Sequence, residues 1–218
     1  MYLSRRRNSA LISSTPGWRK LQNPWLGAVK RVLDISAAAT GLVIGLPVWP
    51  FLALAVKAGS PGPIFYRQDR VGRGGKVFSL VKFRSMVADA ENGQAVWAEE
   101  NDRRVTATGR VLRRFHLDEW PQLWNVLKGD MSLVGPRPER PEFVRELEKQ
   151  IPHYGDRFSA KPGLTGWAQV RFKYASTVED ARVKLGYDLF YIAHWSFGLD
   201  VLILARTLGV VLRGDVRQ

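Results

Sequence analysis

ISAAATGLVIGLPVWPFLALAV, Ile35 to Val56, runs for 22 residues without a charge, and its reading decides the architecture of the chain. As one straight helix it would reach ~33 Å, about the hydrocarbon thickness of a bilayer. It is too long and too far from the N-terminus for an ordinary signal peptide, and no clean small-residue cleavage site follows it. Pro47 and Pro50 lie past its middle, and each removes an amide donor and kinks a helix. Cations flank both ends: Arg5, Arg6, Arg7, Arg19, Lys20, Lys30 and Arg31 before it, Lys57, Arg67, Arg70 and Arg73 after it. The positive-inside rule holds both flanks on the cytoplasmic side. A helix that enters the membrane, bends at Pro47 and Pro50 and returns satisfies both facts; a straight span and a buried soluble helix are the alternatives. The carbonyls freed at a bend need a local partner, because lipid supplies none. Asp34, at the entry, is expected at headgroup level beside Lys30 or Arg31.

Outward from this run, residues 1–29 are polar and basic and read as a flexible or surface-bound arm. Residues 30–59 form the membrane segment, and residues 60–218 form a catalytic domain with interfacial helices. Ser60-Pro61-Gly62-Pro63 is a strong turn. Ile64 to Val71 and Val77 to Phe83 read as strands of a small hairpin around Gly72–Gly75. Ser85 to Glu99 and Val111 to Arg114 have helical character. Asp118-Glu119-Trp120-Pro121 starts a helix that Gly129 ends, and Pro141 to Gln150 is a charged helix. Lys161 to Trp167 is loop, followed by a short strand at Ala168 to Phe172, then a helix from Val178 to Leu189. Asp200 to Leu212 is an apolar helix that suits either the membrane interface or an ordinary core. The fold class is α+β and mostly helical.

Composition narrows the chemistry. Lys and Arg number 33 against 20 Asp and Glu, a formal net charge of +13, so the partners are anionic: nucleic acid, acidic headgroups or phosphorylated substrates. With no Cys, thiolate nucleophiles, thiolate metal sites and disulfides are excluded. The three His are scattered without zinc-type spacing. No helix-turn-helix, zinc or ribonucleoprotein signature supports a nucleic-acid module.

Asp118 and Glu119 are the first candidates for chemistry. Adjacent side chains on a helix point about 100° apart, so the two carboxylates divide their work. Acids at a helix N-terminus also suit the macrodipole, and spacing alone favours that plainer explanation. The surroundings favour chemistry: Arg113, Arg114 and His116 precede the pair, and Arg137 follows in Gly135-Pro136-Arg137-Pro138, where two prolines fix the backbone around one guanidinium. Such an Arg either grips a phosphate with two parallel hydrogen bonds or is a solvated loop cation. Acids beside cations fit a polyanion bound with Mg²⁺, which takes one or two carboxylates plus substrate phosphates. Lys82 and Arg84 share a side by strand alternation and line either the phosphate site or a wet sheet face.

Four blocks occur in order: Arg67-Gln68-Asp69-Arg70-Val71-Gly72, Lys82-Phe83-Arg84-Ser85-Met86, the stretch LDEWPQLWNVLKGDMSLVGPRPE from Leu117 to Glu139, and Pro162-Gly163-Leu164-Thr165-Gly166-Trp167. Together they resemble the bacterial sugar transferase family, the monotopic phosphoglycosyl transferases, over about residues 28 to 214. The resemblance implies that Asp118 attacks the β-phosphate of a UDP-sugar, releasing UMP and leaving a phosphosugar on the carboxylate. Polyprenyl (undecaprenyl) phosphate then takes the phosphosugar. It implies Glu119 as the acid on the Mg²⁺ and proton side, Asp118 and Glu119 as the metal pair, and Arg137, Lys82, Arg84 and Arg114 around phosphate. It implies a catalytic face on the cytoplasmic side of the bacterial inner membrane, among membrane lipids. The family's bend at a Ser-Pro pair departs here to Leu46-Pro47. The longer members carry four spanning helices ahead of this part, so the chain resembles a short catalytic-core form. The Thr177 to Ile192 segment is most similar to members that begin exopolysaccharides, which implies a hexose such as glucose or galactose. Oligomeric state is not legible in the sequence.

Overall fold

The computed structural model describes residues 10–88, 90, 102–172 and 177–214. The described part of the segment read as an arm forms two short helices, α1 (Ala10–Ser13) and α2 (Pro16–Gln22), and residues 1–9 lie outside the described residues. The Thr15 hydroxyl caps α2, and Pro16 is pre-set for its first turn. Ile12 is buried, in one core cluster with Tyr191, Ile192 and Trp195, and Trp18 packs against it. The long helix α3 (Pro24–Gly45) starts the same way, with Asn23 as cap and Pro24 behind it.

The apolar run is broken where Pro47 stands. α3 and α4 (Trp49–Gly59) meet at 68° across Leu46–Val48, and no single helix among the described residues is long and apolar enough to cross a membrane. Pro50 does not bend the chain: it occupies the first turn of α4, where an amide donor is not needed. The Leu46 amide is shared between the carbonyls of Leu42 and Val43, so the acceptor that Pro47 would have served still has a donor. Trp120 adds an indole hydrogen bond to Gly41 O at 3.1 Å. A side chain on Gly45 would meet the Trp120 ring at 3.1 Å, so a glycine is what lets this indole lie against the bend. Asp34 faces the protein interior rather than Lys30 or Arg31. It is buried and accepts from Leu133 N at 3.0 Å, while Lys30 pairs with Asp200 at 2.6 Å. Arg31 covers the last carbonyls of the helix over Gln122–Lys128, donating to Val126 O and Leu127 O.

β1 (Phe65–Val71) and β2 (Val77–Phe83) form the expected antiparallel hairpin, with Tyr66 opposite Lys82 and Arg70 opposite Phe78. Trp49, Phe65 and Phe83 pack ring against ring and fasten α4 to the hairpin's open end. Ser85 to Val87 is not helical; Met86 bridges to Val105, and most of the remaining helix expected to Glu99 lies outside the described residues. α5 (Ala107–Arg114) leads into a 3₁₀ turn, Leu117–Glu119, and then into α6 (Gln122–Lys128), which Gly129 closes in the left-handed region.

β3 (Ser132–Val134) pairs in parallel with β4 (Gly163–Thr165), inside the segment read as loop. A side chain on Gly135 or Gly163 would collide with the other's backbone, so both positions need glycine for this approach. α7 (Pro141–Gln150) lies between the two strands in sequence. Residues read as a strand after β4 form α8 (Trp167–Arg171) instead. There Arg171 folds back over Trp167 at 4.5 Å, a one-turn contact that a strand cannot make. α9 (Val178–His194) opens with a Thr177–Asp180 capping box, and α10 (Phe197–Arg213) is capped by Ser196. The fold is mostly helical with two small sheets, as the sequence implies.

Candidate active site

The carboxylate pair sits on the 3₁₀ turn, separated from α6 by Trp120 and Pro121 rather than within it. His116 enters that turn in the left-handed region, with φ of 54°, a conformation uncommon for a side-chain-bearing residue. β2 is locked to α6 by Asn125, whose amide donates to Ser79 O and whose carbonyl oxygen accepts from Val81 N. This clamp ends one residue short of Lys82 and brings its ammonium into the field of Asp118.

The two acids differ sharply. Asp118 is fully buried, and among the described residues neither of its oxygens has a hydrogen-bond donor. Burial raises its pKa, and the neighbouring Glu119 raises it further, against the pull of Lys82, Arg113 and His116. Burial pushes Glu119 up too, but the charge and hydrogen bond of Arg137, 2.6 Å away, outweigh it and hold Glu119 below its usual range. Desolvation lowers Lys82 to about 8, with Asp118 opposing and Arg113 and Arg70 adding to the fall. Its ammonium also lies 5.4 Å from the Tyr66 ring centre.

Arg137 is held more firmly than two prolines alone would hold it. Each carbonyl of Pro136-Arg137-Pro138 accepts a donor: Gly163 N at 2.9 Å, Arg157 Nη2 at 2.9 Å and Arg70 Nη1 at 3.0 Å. Arg157 is itself buried against Asp188 at 2.6 Å and the Tyr154 hydroxyl at 2.7 Å. Glu139 receives Lys184 at 2.6 Å, and burial opposed by Lys184, Arg157 and Arg70 leaves its pKa at about 2. Neither Arg157 nor Arg70 is a sequence-level candidate. Arg157 stands outside all four motif blocks, and only the folded chain brings it behind Arg137.

Of the residues named from sequence, the structure gathers Asp118, Glu119, Arg137 and Lys82. Arg84 does not join them: its two terminal nitrogens donate to Ser60 O and Pro61 O, fastening the turn after α4. Arg114 is exposed and lies over the Phe115 ring near Gly214. Arg113, one residue earlier, is the cation that acts on Asp118 and Lys82, and Ser85 Oγ accepts from its Nε at 2.9 Å. No cluster of three or more His, Asp or Glu side chains suited to a metal exists among the described residues. The adjacent acids are what the protein offers, and the bare oxygens of Asp118 fit a cation shared with substrate phosphates.

This site lies within a match to the bacterial sugar transferase model over residues 25–214, and the chain belongs to that family. It is 43% identical over 194 residues to a UDP-N-acetylgalactosamine-undecaprenyl-phosphate N-acetylgalactosaminephosphotransferase of Aeromonas hydrophila, covering 89% of this chain and 46% of that protein. It is 44% identical over 188 residues to a UDP-glucose:undecaprenyl-phosphate glucose-1-phosphate transferase of Caulobacter vibrioides, covering 85% and 70%. A UDP-galactose-lipid carrier transferase of Erwinia amylovora is 38% identical over 202 residues, covering 86% and 41%. The chain thus spans less than half of two of these relatives and about two thirds of the third.

Proposed function

We propose that this chain transfers a sugar 1-phosphate from a UDP-sugar to a polyprenyl phosphate, releasing UMP, through a covalent intermediate on Asp118. The observation that carries the reading is the buried Asp118 carboxylate, without a hydrogen-bond donor and facing Lys82 and Arg113. A structural acid at a helix N-terminus would spend its oxygens on backbone amides; this one does not.

Asp118 attacks the β-phosphorus, and the bond from that phosphorus to the oxygen bridging it to UMP breaks. UMP departs with the bridging oxygen. An oxygen of the lipid phosphate then attacks the same phosphorus, and the bond to Asp118 breaks to restore the carboxylate. Dividing the transfer in two lets one site serve a soluble donor and a lipid acceptor in turn. Lys82 and Arg113 offset the charge that would keep a carboxylate from a diphosphate. Arg137 orients phosphate while its ion pair keeps Glu119 ionised. Mg²⁺, held by the Asp118–Glu119 pair with substrate phosphates, would add further charge neutralisation at the leaving group.

The bent pair α3–α4 is read as a re-entrant insertion in the bacterial cytoplasmic membrane, with the catalytic face on the cytoplasmic side. Exposed Val32, Leu33, Val43, Ile44, Phe51 and Leu54 support that placement, since such apolar surface is costly in water. The relatives named above use three different sugars, so the donor's sugar stays open among them. Beginning an exopolysaccharide is the role the Thr177 to Ile192 resemblance suggests. The test is to incubate detergent-solubilised protein with a panel of UDP-sugars and undecaprenyl phosphate. UMP release that needs the acceptor for turnover, with a polyprenyl diphosphate sugar in the lipid fraction, is expected; UMP release absent across the panel overturns the reading.

A further inference from the structure

A cleft of about 360 Å³ opens beside the catalytic turn, on the side that α10 faces. Leu204, Thr207 and Val211 of α10 form one wall at helical spacing, and Leu117, Trp120 and Leu123 form the opposite one. Thr165 and Thr207 place hydroxyls there, but they bond to each other at 2.7 Å, and Thr207 also donates to Ile203 O. Gln169 commits its amide nitrogen to Leu164 O at 3.1 Å. The walls are therefore largely apolar, with Gln169 Oε1 a buried acceptor that has no hydrogen bond among the described residues. The charged part of the lining is His116, Glu119 and Arg137.

We infer that this cleft seats the first isoprene units of the lipid acceptor, with its phosphate at the Arg137 end; the inference rests on the reaction proposed above. The shape of the chemistry favours this occupant. An isoprenyl phosphate is a branched hydrocarbon with one terminal anion, and the cleft is a largely hydrocarbon surface whose cation is the Arg137 guanidinium, paired with Glu119 at 2.6 Å. A nucleotide sugar has polar groups along its whole length and would leave them unsatisfied against these walls. The helix that walls the cleft also carries apolar surface outside it. α10 carries a second stripe, Val201, Leu208 and Leu212, that is 59% exposed or more. A chain leaving the cleft along α10 thus passes onto apolar surface. Glu119, next in sequence to Asp118, lines the cleft, so a phosphate held at Arg137 lies beside the turn that carries the covalent sugar phosphate.

The test uses the full chain in detergent and an undecaprenyl phosphate analogue with a diazirine in the isoprene units nearest the phosphate. Photolabelling should fall on Leu204 to Val211 and on Leu123, and undecaprenyl phosphate should compete it away, but phosphatidylglycerol should not. Val211→Trp, which fills the cleft, should cut that labelling about tenfold and raise the acceptor KM by a similar factor; Leu208→Trp, on the outer stripe, should do neither. If Val211→Trp fails to fold, Leu204→Trp serves in its place. Labelling confined to other helices, or competed equally by phosphatidylglycerol, overturns the assignment. UMP release measured on the same preparation separates the two ideas: labelled cleft without UMP release counts against the reaction and leaves the lipid seat standing.

Discussion

The ammonium of Lys82 gives the site a pH limit that can be worked from the structure. Desolvation brings its pKa from 10.5 to about 8 despite the attraction of Asp118. If this charge receives the diphosphate, kcat/KM for the UDP-sugar should be level below that value and fall above it, since kcat/KM reports the free enzyme's ionisations. One unit above it the protonated fraction is about one tenth, so kcat/KM should be about tenfold below its plateau. The effect on stability has the opposite sign. A lysine whose folded pKa lies below its unfolded one destabilises the fold while charged, and that cost is relieved as pH rises from about 8 towards 10.5. This residue therefore predicts lost activity with no loss of melting temperature over the same range. Lys82→Arg keeps its charge throughout and should remove the alkaline limb, whatever its plateau. The assay is initial UMP release at limiting UDP-sugar across the pH series, beside thermal melts. A profile flat through that range, or a limb that persists in Lys82→Arg, refutes the reasoning; the latter would assign the ionisation to substrate or metal.

Two further predictions concern what holds the site. Arg157→Met leaves Asp188 without its 2.6 Å partner and frees the Arg137 carbonyl. It should destabilise the fold by roughly 3–5 kcal/mol, seen as a lower melting temperature in detergent, and a melt like the parent's would contradict the buried pairing. Trp120→Phe keeps a ring against Gly45 but loses the hydrogen bond to Gly41 O. It should cost about 1 kcal/mol in chemical unfolding, and Trp120→Ala several times that; equal costs would mean that the ring's packing contributes nothing.

The legible and illegible parts of this chain divide along physical lines. The hairpin, α7, the Gly129 stop and the break at Pro47 rest on local rules, and they stand where turn residues, caps and prolines put them. The starts of α2 and α3 were equally local: Thr15-Pro16 and Asn23-Pro24 are cap-and-proline starts, obscured by the surrounding polarity. β3 and β4 had no comparable signal, because each is three residues long and is defined by a partner just over thirty residues away in the chain. The site shows the same division. Asp118, Glu119 and Arg137 sit in one dense motif, whereas the choice of Arg113 over Arg114 follows from how α5 is turned, which brings Arg113 to Ser85 and leaves Arg114 exposed. Arg84 shared a strand face with Lys82 in principle, but it falls just past the end of β2, where the carbonyls of Ser60 and Pro61 take its nitrogens.

The central claim is that Asp118 forms a covalent bond to the transferred phosphosugar. Intact-protein mass spectrometry after mixing with UDP-sugar and no acceptor tests it most directly. A mass gain of one sugar phosphate that maps to Asp118, is absent in Asp118→Asn, and is discharged by undecaprenyl phosphate is the predicted result. Turnover without any adduct, or an adduct on another residue, would contradict it.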